Sequence, residues 1–425
     1  MSRRPDRVLL VVAGGIAAYK APELVRALKA EGCDVQVIAT PAALAFVTEL
    51  ALSTVSGRPV RTTLLDAAAE GSVGHIELAD WPDTVLVAPA TADLMARAAA
   101  GLAGDLATCV LLATRAPIVW APAMNTNMWR HPATQKNLAT LAGYGGEFVG
   151  PDRGELACGW VGEGRMIDPP ILAAAARSRA ARARGGPWVG RRVLVSAGPT
   201  RSHIDPVRFI ANASTGAMGF AIAEEAAKQG ASVTLVAGPV DRATPPAVQR
   251  VDVTSAGDML EAMEAELERA PVDLVAMVAA VGDLEIERPH TGKLEKQALI
   301  PSMAALGWRR AVDVLATLTG RKRGATKFLG FAAQTVEGVD EAAITAELVR
   351  LGLHKLAYKG ADALFVNRVG VPGLGFASDT NAGILLVRRG QQHVERPSGP
   401  PTPKRALARW LLDQLGAEFF EEGAR

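Results

Sequence analysis

The chain is short of cysteine, aromatic residues, net charge and long apolar runs, and each shortage excludes something. Its three cysteines, Cys33, Cys109 and Cys158, stand far apart with no CxxC pair. That spacing provides neither a disulfide framework nor a structural zinc site, and it suits a reducing cytoplasm. Aromatic residues make up 5% of the chain, too few for the stacked platforms that hold single-stranded nucleic acid. A formal net charge of +2 supplies no field for a nucleic-acid backbone. The longest apolar stretch, Leu106–Ala123, is broken by Arg115 and two prolines, Pro117 and Pro122. The basic-then-apolar start looks superficially like a signal peptide, but Val8–Ala13 is too short and runs into a glycine turn. Neither a membrane span nor a nucleic-acid partner is expected.

What remains is an ordinary globular composition, 49% apolar and 21% charged over 425 residues. That length exceeds one common core, so two domains are expected, divided near Pro187 into 1–186 and 187–425. The Ala- and Arg-rich run 171–184 before that point reads as a solvated helix end and linker.

Both halves open alike. Val8–Ala13 reads as a doubly covered parallel strand, Gly14-Gly15 as a tight turn, Ile16–Ala30 as a helix and Val35–Ala39 as the next strand. A helix N-terminus after such a turn attracts phosphate. Thr40, rather than an acidic residue, ends the second strand, which favours a mononucleotide or flavin over NAD. The pattern returns at Arg192–Ser196, with a turn at 197–200, a helix at Met218–Gln229 and a strand at Ser232–Ala237. Two Rossmann-like openings imply two nucleotide-type sites in one polypeptide.

Candidate chemistry clusters where strands end. Strand Ala116–Ala121 runs into the octet PAMNTNMW, residues 122–129, which sets Asn125 between Met124 and Met128, beside Trp129. An amide can hold a carboxylate without adding charge, and thioethers form a soft wall for a flat ring. A turn Asn beside core Met and Trp is the plainer reading. Strand Thr84–Ala88 ends in PATADL, where Ala90 and Ala92 allow close backbone approach and Thr91 adds a hydroxyl or an N-cap. His75 lies between glycines in GSVGHIELAD, a spacing that suggests a loop in which it can titrate. Residues 150–166 hold five glycines and Cys158 with little periodicity, as a mobile flap would. Cys33 and Cys109 sit among apolar residues and read as packing.

In the second half, Arg208, Asn212, Ser214 and Thr215 cluster with Gly216 and Gly219 before a helix and can offer donors to an anion. Leu274–Val281 reads as a buried strand ending at Gly282-Asp283, and Lys293 and Lys296 stand in the polar segment that follows. A lysine there can neutralise charge on a leaving pyrophosphate, or be merely a surface lysine. Lys355, Lys359, Asn367, Asp379 and Asn381 surround a later apolar strand.

GGIAAYK, GHIELADW, APATADL, PAMNTNMW and LACGWVGEGRM, in this order, resemble the phosphopantothenoylcysteine decarboxylase flavoproteins. AGPTRSHIDPVRFIANASTGAMG, AAVGDLE, GKLEK, GFAAQT and KLAYKGAD, with Asn367 downstream, resemble phosphopantothenate–cysteine ligase. The ten ordered motifs cover nearly the whole chain.

The resemblance implies two Rossmann-like, doubly wound α/β domains, the first flavodoxin-like and the second a nucleotide-binding ligase domain. It implies that the ligase joins cysteine to 4′-phosphopantothenate through an acyl-cytidylate, using CTP and Mg2+. The decarboxylase then uses FMN to oxidise the cysteinyl part to a thioaldehyde, which stabilises the carbanion left by loss of carbon dioxide. By resemblance His75 is the catalytic base, Asn125 grips the substrate carboxylate and Cys158 donates a proton. Gly14, Ile16, Thr40, Ala90, Thr91 and Met124 would bind FMN. Asn212 would stabilise the acyl-cytidylate and Lys293 would act on the phosphates, while Asp283, Asp313, Phe331, Lys355 and Lys359 would contact CTP. No side-chain cage is expected for magnesium, which the triphosphate and water would hold. The resemblance further implies a homo-oligomer built from trimeric decarboxylase and dimeric ligase, compatible with a dodecamer.

Three departures stand in the ligase half. Leu284 follows Gly282-Asp283 where the family carries tyrosine after Ala-Asp. Residues 310–315 read RAVDVL in place of an Asn-Pro-Asp-Ile-Leu-like stretch, and Gln334 replaces an acid. Two alternatives follow: a decarboxylase whose ligase half is only a dimerising scaffold, or a non-enzymatic flavin-binding regulator of phosphatases. The second is disfavoured because such regulators replace the His or the flap Cys, and both are present.

Overall fold

Where every second residue of a strand faces a different layer, an unbroken apolar run requires cover on both sides. The computed structural model shows this in the strand Asp6–Val12. Val8, Leu10 and Val12 pack in one core with Leu24, Val25 and Leu28 of the helix Ala21–Ala30 and with Leu172 and Ala176. Leu9 and Val11 enter another core with Val85, Val87, Leu94, Val110 and Trp120. Burying each such side chain contributes roughly 1.5–3 kcal/mol. The structure describes residues 4–64, 74–155, 159–321, 324–338, 340–371, 375 and 378–421.

The chain separates into two compact units: one runs to Val189 and includes Lys228–Gly230, and the other takes the remaining residues from Gly190. The first unit carries a five-stranded parallel sheet. Its order is Cys33–Ala39, Asp6–Val12, Thr84–Ala90, Ile118–Pro122 and Glu147–Phe148. This is the flavodoxin-like order 2-1-3-4-5, whose switch point falls between the first and third strands.

The second unit carries eight strands. Val248–Asp252, Ser232–Ala237, Arg192–Ala197, Leu274–Met277, Lys327–Gln334 and Ala363–Arg368 are parallel, in the Rossmann order 3-2-1-4-5-6. Ile384–Arg389 and Gln392–Pro397 extend the sheet as an antiparallel edge. One face is covered by Met259, Met263, Leu315, Leu318, Leu348 and Leu356. A separate arm pairs Arg201–His203 with Phe209–Ala211 and Leu284–Ile286 with Trp308–Arg310, around a small core of Ile204, Ile286, Leu294 and Leu306.

Five sequence expectations need correction. The Ala- and Arg-rich run expected as a solvated helix end and linker belongs to the helix Pro169–Ala183, whose Leu172, Ala173 and Ala176 are buried in the sheet core, with Arg177 and Ala180 buried beside them. The helix expected over Ile16–Ala30 begins as a 3-10 turn, Ile16–Lys20, and becomes α-helical at Ala21, where Pro22 suits a helix start. The strand expected to reach Val281 ends at Met277, because the Val278 and Ala279 amides turn to the Ser196 hydroxyl. His75 lies in the first turn of the helix Gly74–Asp80, not in a loop. The glycine-rich flap is an antiparallel hairpin, Asp152–Glu155 with Val161–Arg165. Among the described residues no helix is long and apolar enough to cross a membrane.

Candidate active sites

The flavodoxin-like sheet ends in a cavity of about 1190 Å³. Gly14, Gly15 and Ile16 follow its first strand, Thr40 its second, Thr91 its third, and Met124 and Asn125 its fourth, and all line the wall. Gly14 is required locally: a Cβ there would meet Ala42 Cβ at 2.3 Å. The Thr91 hydroxyl accepts the Leu94 amide at 3.3 Å and caps the helix Ala92–Ala99, so its N-cap and wall roles coexist. Ala90, the end of the strand, is buried one residue short of the wall. Asn125 caps the helix Thr126–Arg130 by accepting the Asn127 amide at 2.8 Å.

The hairpin is docked on that octet. The Met124 amide donates to the Gly164 carbonyl at 3.0 Å, and the Thr126 hydroxyl donates to the Glu163 carbonyl at 2.8 Å. Gly164 has φ +136°, and a Cβ on it would lie 2.1 Å from the Met124 carbonyl oxygen. A Cβ on Gly162 would lie 2.4 Å from Thr126 Oγ1. These glycines serve close approach, a purpose that glycine content alone does not distinguish from mobility.

The wall combines Ile16, Met124 and Met128 with backbone and small residues, which fits a flat ring system, and its volume accommodates a flavin nucleotide. Lys20 and Arg165 add positive charge at the same wall, and each pairs with Asp168. His75 is half-buried and does not line this cavity. Cys158 lies outside the described residues.

A second cavity, about 700 Å³, opens in the Rossmann-like sheet. Asn212, Asp283, Asp313, Phe331, Lys355 and Lys359 all line it. The Asn212 amide donates to the Ala280 and Val281 carbonyls at 3.3 and 3.2 Å, which fixes it beside the strand end. The Gly282 amide donates to the Thr200 hydroxyl at 2.9 Å, holding the turn that presents Asp283. Phe331 lies on the strand Lys327–Gln334, tilted against Phe365 with ring centroids 5.3 Å apart. Asp313 caps the helix Val314–Gly320 and forms an ion pair with Lys359.

Lys355 and Lys359, four residues apart on the helix Glu341–Lys359, face the cavity together. Burial pushes the Lys355 ammonium below the ordinary lysine range, Lys359 adds to that, and Asp283 opposes it. The wall carries four cations, Arg310, Lys355, Lys359 and Lys404, against two carboxylates, Asp283 and Asp313. That balance favours a polyanion. Among the described residues no group of three His, Cys, Asp or Glu is placed to hold a metal ion.

Lys293 is exposed and does not line this cavity. Its segment is nevertheless anchored by a residue that sequence reasoning passed over. Asp205 is buried and accepts the Val207, Arg208 and Leu294 amides at 2.8, 2.7 and 3.2 Å. Arg208 joins the same carboxylate at 3.0 Å and donates to the Leu294 carbonyl at 3.2 Å. Burial alone would raise the Asp205 pKa, but these amides and the guanidinium together hold it below the usual carboxylate range. The Asp-Pro pair 205–206 is a turn signal, but its partner 89 residues away is visible only in the fold.

Comparison with known proteins follows the same division. Residues 1–179 match the Flavoprotein family, and residues 188–418 match the DNA/pantothenate metabolism flavoprotein C-terminal domain. The coenzyme A biosynthesis bifunctional protein CoaBC of Escherichia coli (strain K12) is 42% identical over 425 residues, all of both chains. The Bacillus subtilis protein of the same name is 38% identical over 419 residues, 98% of each chain. A solved C-terminal domain of such a bifunctional protein is 33% identical, covering 55% of this chain and 97% of its own, with a TM-score of 0.41. Full-length identity at this level, with both domain models matched in order, means that the chain belongs to the bifunctional coenzyme A biosynthesis proteins, which join a flavoprotein decarboxylase to a ligase.

Proposed function

We propose that the chain ligates cysteine to 4′-phosphopantothenate with CTP and then decarboxylates the product to 4′-phosphopantetheine. The observation that carries this reading is a single polypeptide with two cavities at the strand ends of two sheets, the first charge-balanced and the second with four cations against two carboxylates. One collects small and apolar groups around Asn125; the other collects lysines around Asn212 and Phe331.

In the ligase, the substrate carboxylate attacks the α-phosphorus of CTP and displaces pyrophosphate, and the cysteine amine then attacks the acyl carbon and expels CMP. Phe331 offers a face to the base. Lys355 and Lys359 hold phosphate oxygens, with Asp283 and Asp313 orienting the cations. Asn212 donates to the acyl-cytidylate, and Lys293 acts on the leaving pyrophosphate. Magnesium would ride on the triphosphate, with Asp283 and Asp313 the carboxylates within the wall.

In the decarboxylase, bound FMN supplies a two-electron acceptor that takes and later returns a hydride. Gly14, Ile16, Thr40, Thr91 and Met124 hold it, with Ala90 supporting the turn. Asn125 holds the substrate carboxylate, His75 takes a proton and Cys158 gives one. Because His75 is not in the wall of its own chain's cavity, a trimeric flavoprotein domain in which a second copy contributes it accounts for the arrangement. Exposed Ile16, Tyr19 and Met128 at the cavity, and exposed Phe209, Ile210 and Trp308 on the ligase arm, support trimer and dimer contacts respectively.

The test is coupled turnover. Purified protein should be yellow and release pyrophosphate over many turnovers only with 4′-phosphopantothenate, cysteine and CTP together, followed by carbon dioxide; without cysteine the release should stop at about one equivalent per site. A His75→Asn variant should keep the flavin absorbance and the pyrophosphate while losing the carbon dioxide by about 10²-fold or more. Sustained pyrophosphate release without cysteine, or any release without the acid, would sink the ligase reading.

A further inference from the structure

The flavodoxin-like unit has a further cavity, of about 650 Å³, at the opposite end of its sheet from the flavin cavity. Its wall holds residues 114–118 and 145–146, which lead into the strands Ile118–Pro122 and Glu147–Phe148. Leu102, Leu111, Leu112, Ile118 and Leu141 make the body of that wall apolar. Among the described residues no aspartate or glutamate lines it, whereas two arginines do, Arg115 and Arg179.

The polar groups at this wall are underused. Trp120 is 2% exposed, and its indole N–H, which meets no acceptor among the described residues, is open to the cavity rather than sealed in the core. The same edge lies against Gly146, where a Cβ would come within 2.7 Å of Nε1. Arg179 Nε is also buried without a hydrogen-bond acceptor. It pairs with Glu147 at 3.4 Å, and Glu147 also serves Arg182 at 3.8 Å. Arg115, exposed at the rim, has no ion-pair partner among the described residues. Arg115, Arg179 and Arg182 thus stand with one carboxylate between them. Donors left unmet beside apolar surface are costly until an acceptor arrives that brings apolar surface of its own.

The geometry points to this cavity as a binding site for a small amphipathic carboxylate, with its alkyl body against the leucines and its head group drawn to the arginines and the Trp120 N–H. The site is separate from the flavin and nucleotide cavities and does not rest on the decarboxylase or ligase reading. Because it lies at the far end of the sheet, FMN can be loaded before the titration without obstructing it.

The experiment titrates the FMN-loaded full chain with octanoate by calorimetry, with 1-octanol and butyrate as the body and the head alone. Octanoate should saturate at about one per chain and bind about tenfold more tightly than either comparison. Leu112 is 61% exposed on the rim, so Leu112→Glu sets a carboxylate at the entrance and should weaken octanoate by about tenfold or more. Arg115→Gln should weaken it by about threefold, as loss of an exposed cation does. Arg179→Gln should weaken it by about tenfold and Trp120→Phe by about threefold. Binding of 1-octanol should not change in Arg115→Gln or Arg179→Gln. Unchanged melting temperatures of Leu112→Glu and Arg115→Gln report intact chains.

Octanoate that does not saturate below about 1 mM, or that binds no better than 1-octanol, overturns the proposal. So does octanoate binding that is equal in the wild type, Leu112→Glu and Arg115→Gln, since the ligand then sits elsewhere. A smaller assembly in Leu112→Glu by light scattering assigns the rim to a contact between copies of the chain and also overturns it. Trp120 stacks on Phe148 with ring centroids 6.3 Å apart, so should Trp120→Phe or Arg179→Gln fail to fold, the two rim variants decide. Each of these results leaves the decarboxylase and ligase readings as they stand.

Discussion

The two cavities are built on related sheets and differ in what their walls are asked to hold. In the flavoprotein unit strand-end backbone, small residues and thioethers stand beside three cations, Lys20, Arg97 and Arg165, matched by Asp93, Asp105 and Glu155, so recognition rests chiefly on shape and close approach. In the ligase unit small and apolar residues stand beside four cations, Arg310, Lys355, Lys359 and Lys404, against only Asp283 and Asp313, so excess positive charge at fixed spacing contributes more. Close packing fails abruptly when an atom is added, because contact energies rise steeply below van der Waals distance. Charge fails gradually, with pH and with salt. A steric perturbation of the first site should therefore exceed an electrostatic perturbation of the second.

The largest effect is expected from Gly164→Ala. The added Cβ would sit 2.1 Å from the Met124 carbonyl at φ +136°, so the strand and the octet must move apart, which displaces Asn125. Decarboxylation kcat/KM should fall about 100-fold, with CTP-dependent pyrophosphate release unchanged. An unaffected decarboxylase would mean that the hairpin contact is not what positions Asn125.

Asp205→Asn should be milder. It leaves one oxygen for the Val207 and Arg208 amides but sets an NH2 against the Leu294 amide and the Arg208 guanidinium. Pyrophosphate release should drop about tenfold as the Lys293 segment loosens, while carbon dioxide release from supplied intermediate stays constant. In the wild type the same anchor is pH-dependent. The folded pKa is lowered, so its stabilisation is present above the unfolded carboxylate value and is lost as pH falls through the folded value. Thermal melting followed downward in pH should show that loss, and Asp205→Asn should flatten it.

The smallest effect is the titration of Lys355. Its ammonium loses its proton below the ordinary lysine range, so KM for CTP should climb with alkaline pH, by about threefold to tenfold. Lys355→Met should remove that limb. Without nucleotide the sign reverses: the unfolded chain keeps the proton longer, so stability rises with pH between the lowered value and the ordinary one. A KM that is flat across this range would show that Lys355 does not meet the phosphates.

Much of this arrangement is written locally. The first-strand run and its glycine turn announce a doubly covered strand feeding a phosphate-binding turn, and both units begin that way. Asp313 illustrates what is not local. From sequence it is one acid in a departing motif, whereas in the fold it both caps a helix and pairs with Lys359, 46 residues later. The flap illustrates the same limit. Five glycines look like mobility until Gly162 and Gly164 are seen against Thr126 and Met124. His75 was readable as a titratable group but not as a helical one absent from its own chain's cavity.

Composition, strand periodicity and ordered motifs by themselves determined the α/β class, the two nucleotide-type openings and a minority of the cavity linings, among them Gly14, Asn125, Asn212 and Lys355. These are properties of short segments, where burial and turn chemistry act over a few positions. Only the tertiary structure decided which distant groups share a wall: Asp205 with Leu294, Gly164 with Met124, and Lys404 with the Ser214 loop. Those pairings depend on where the sheets bring strand ends together, and sequence separation carries no record of that.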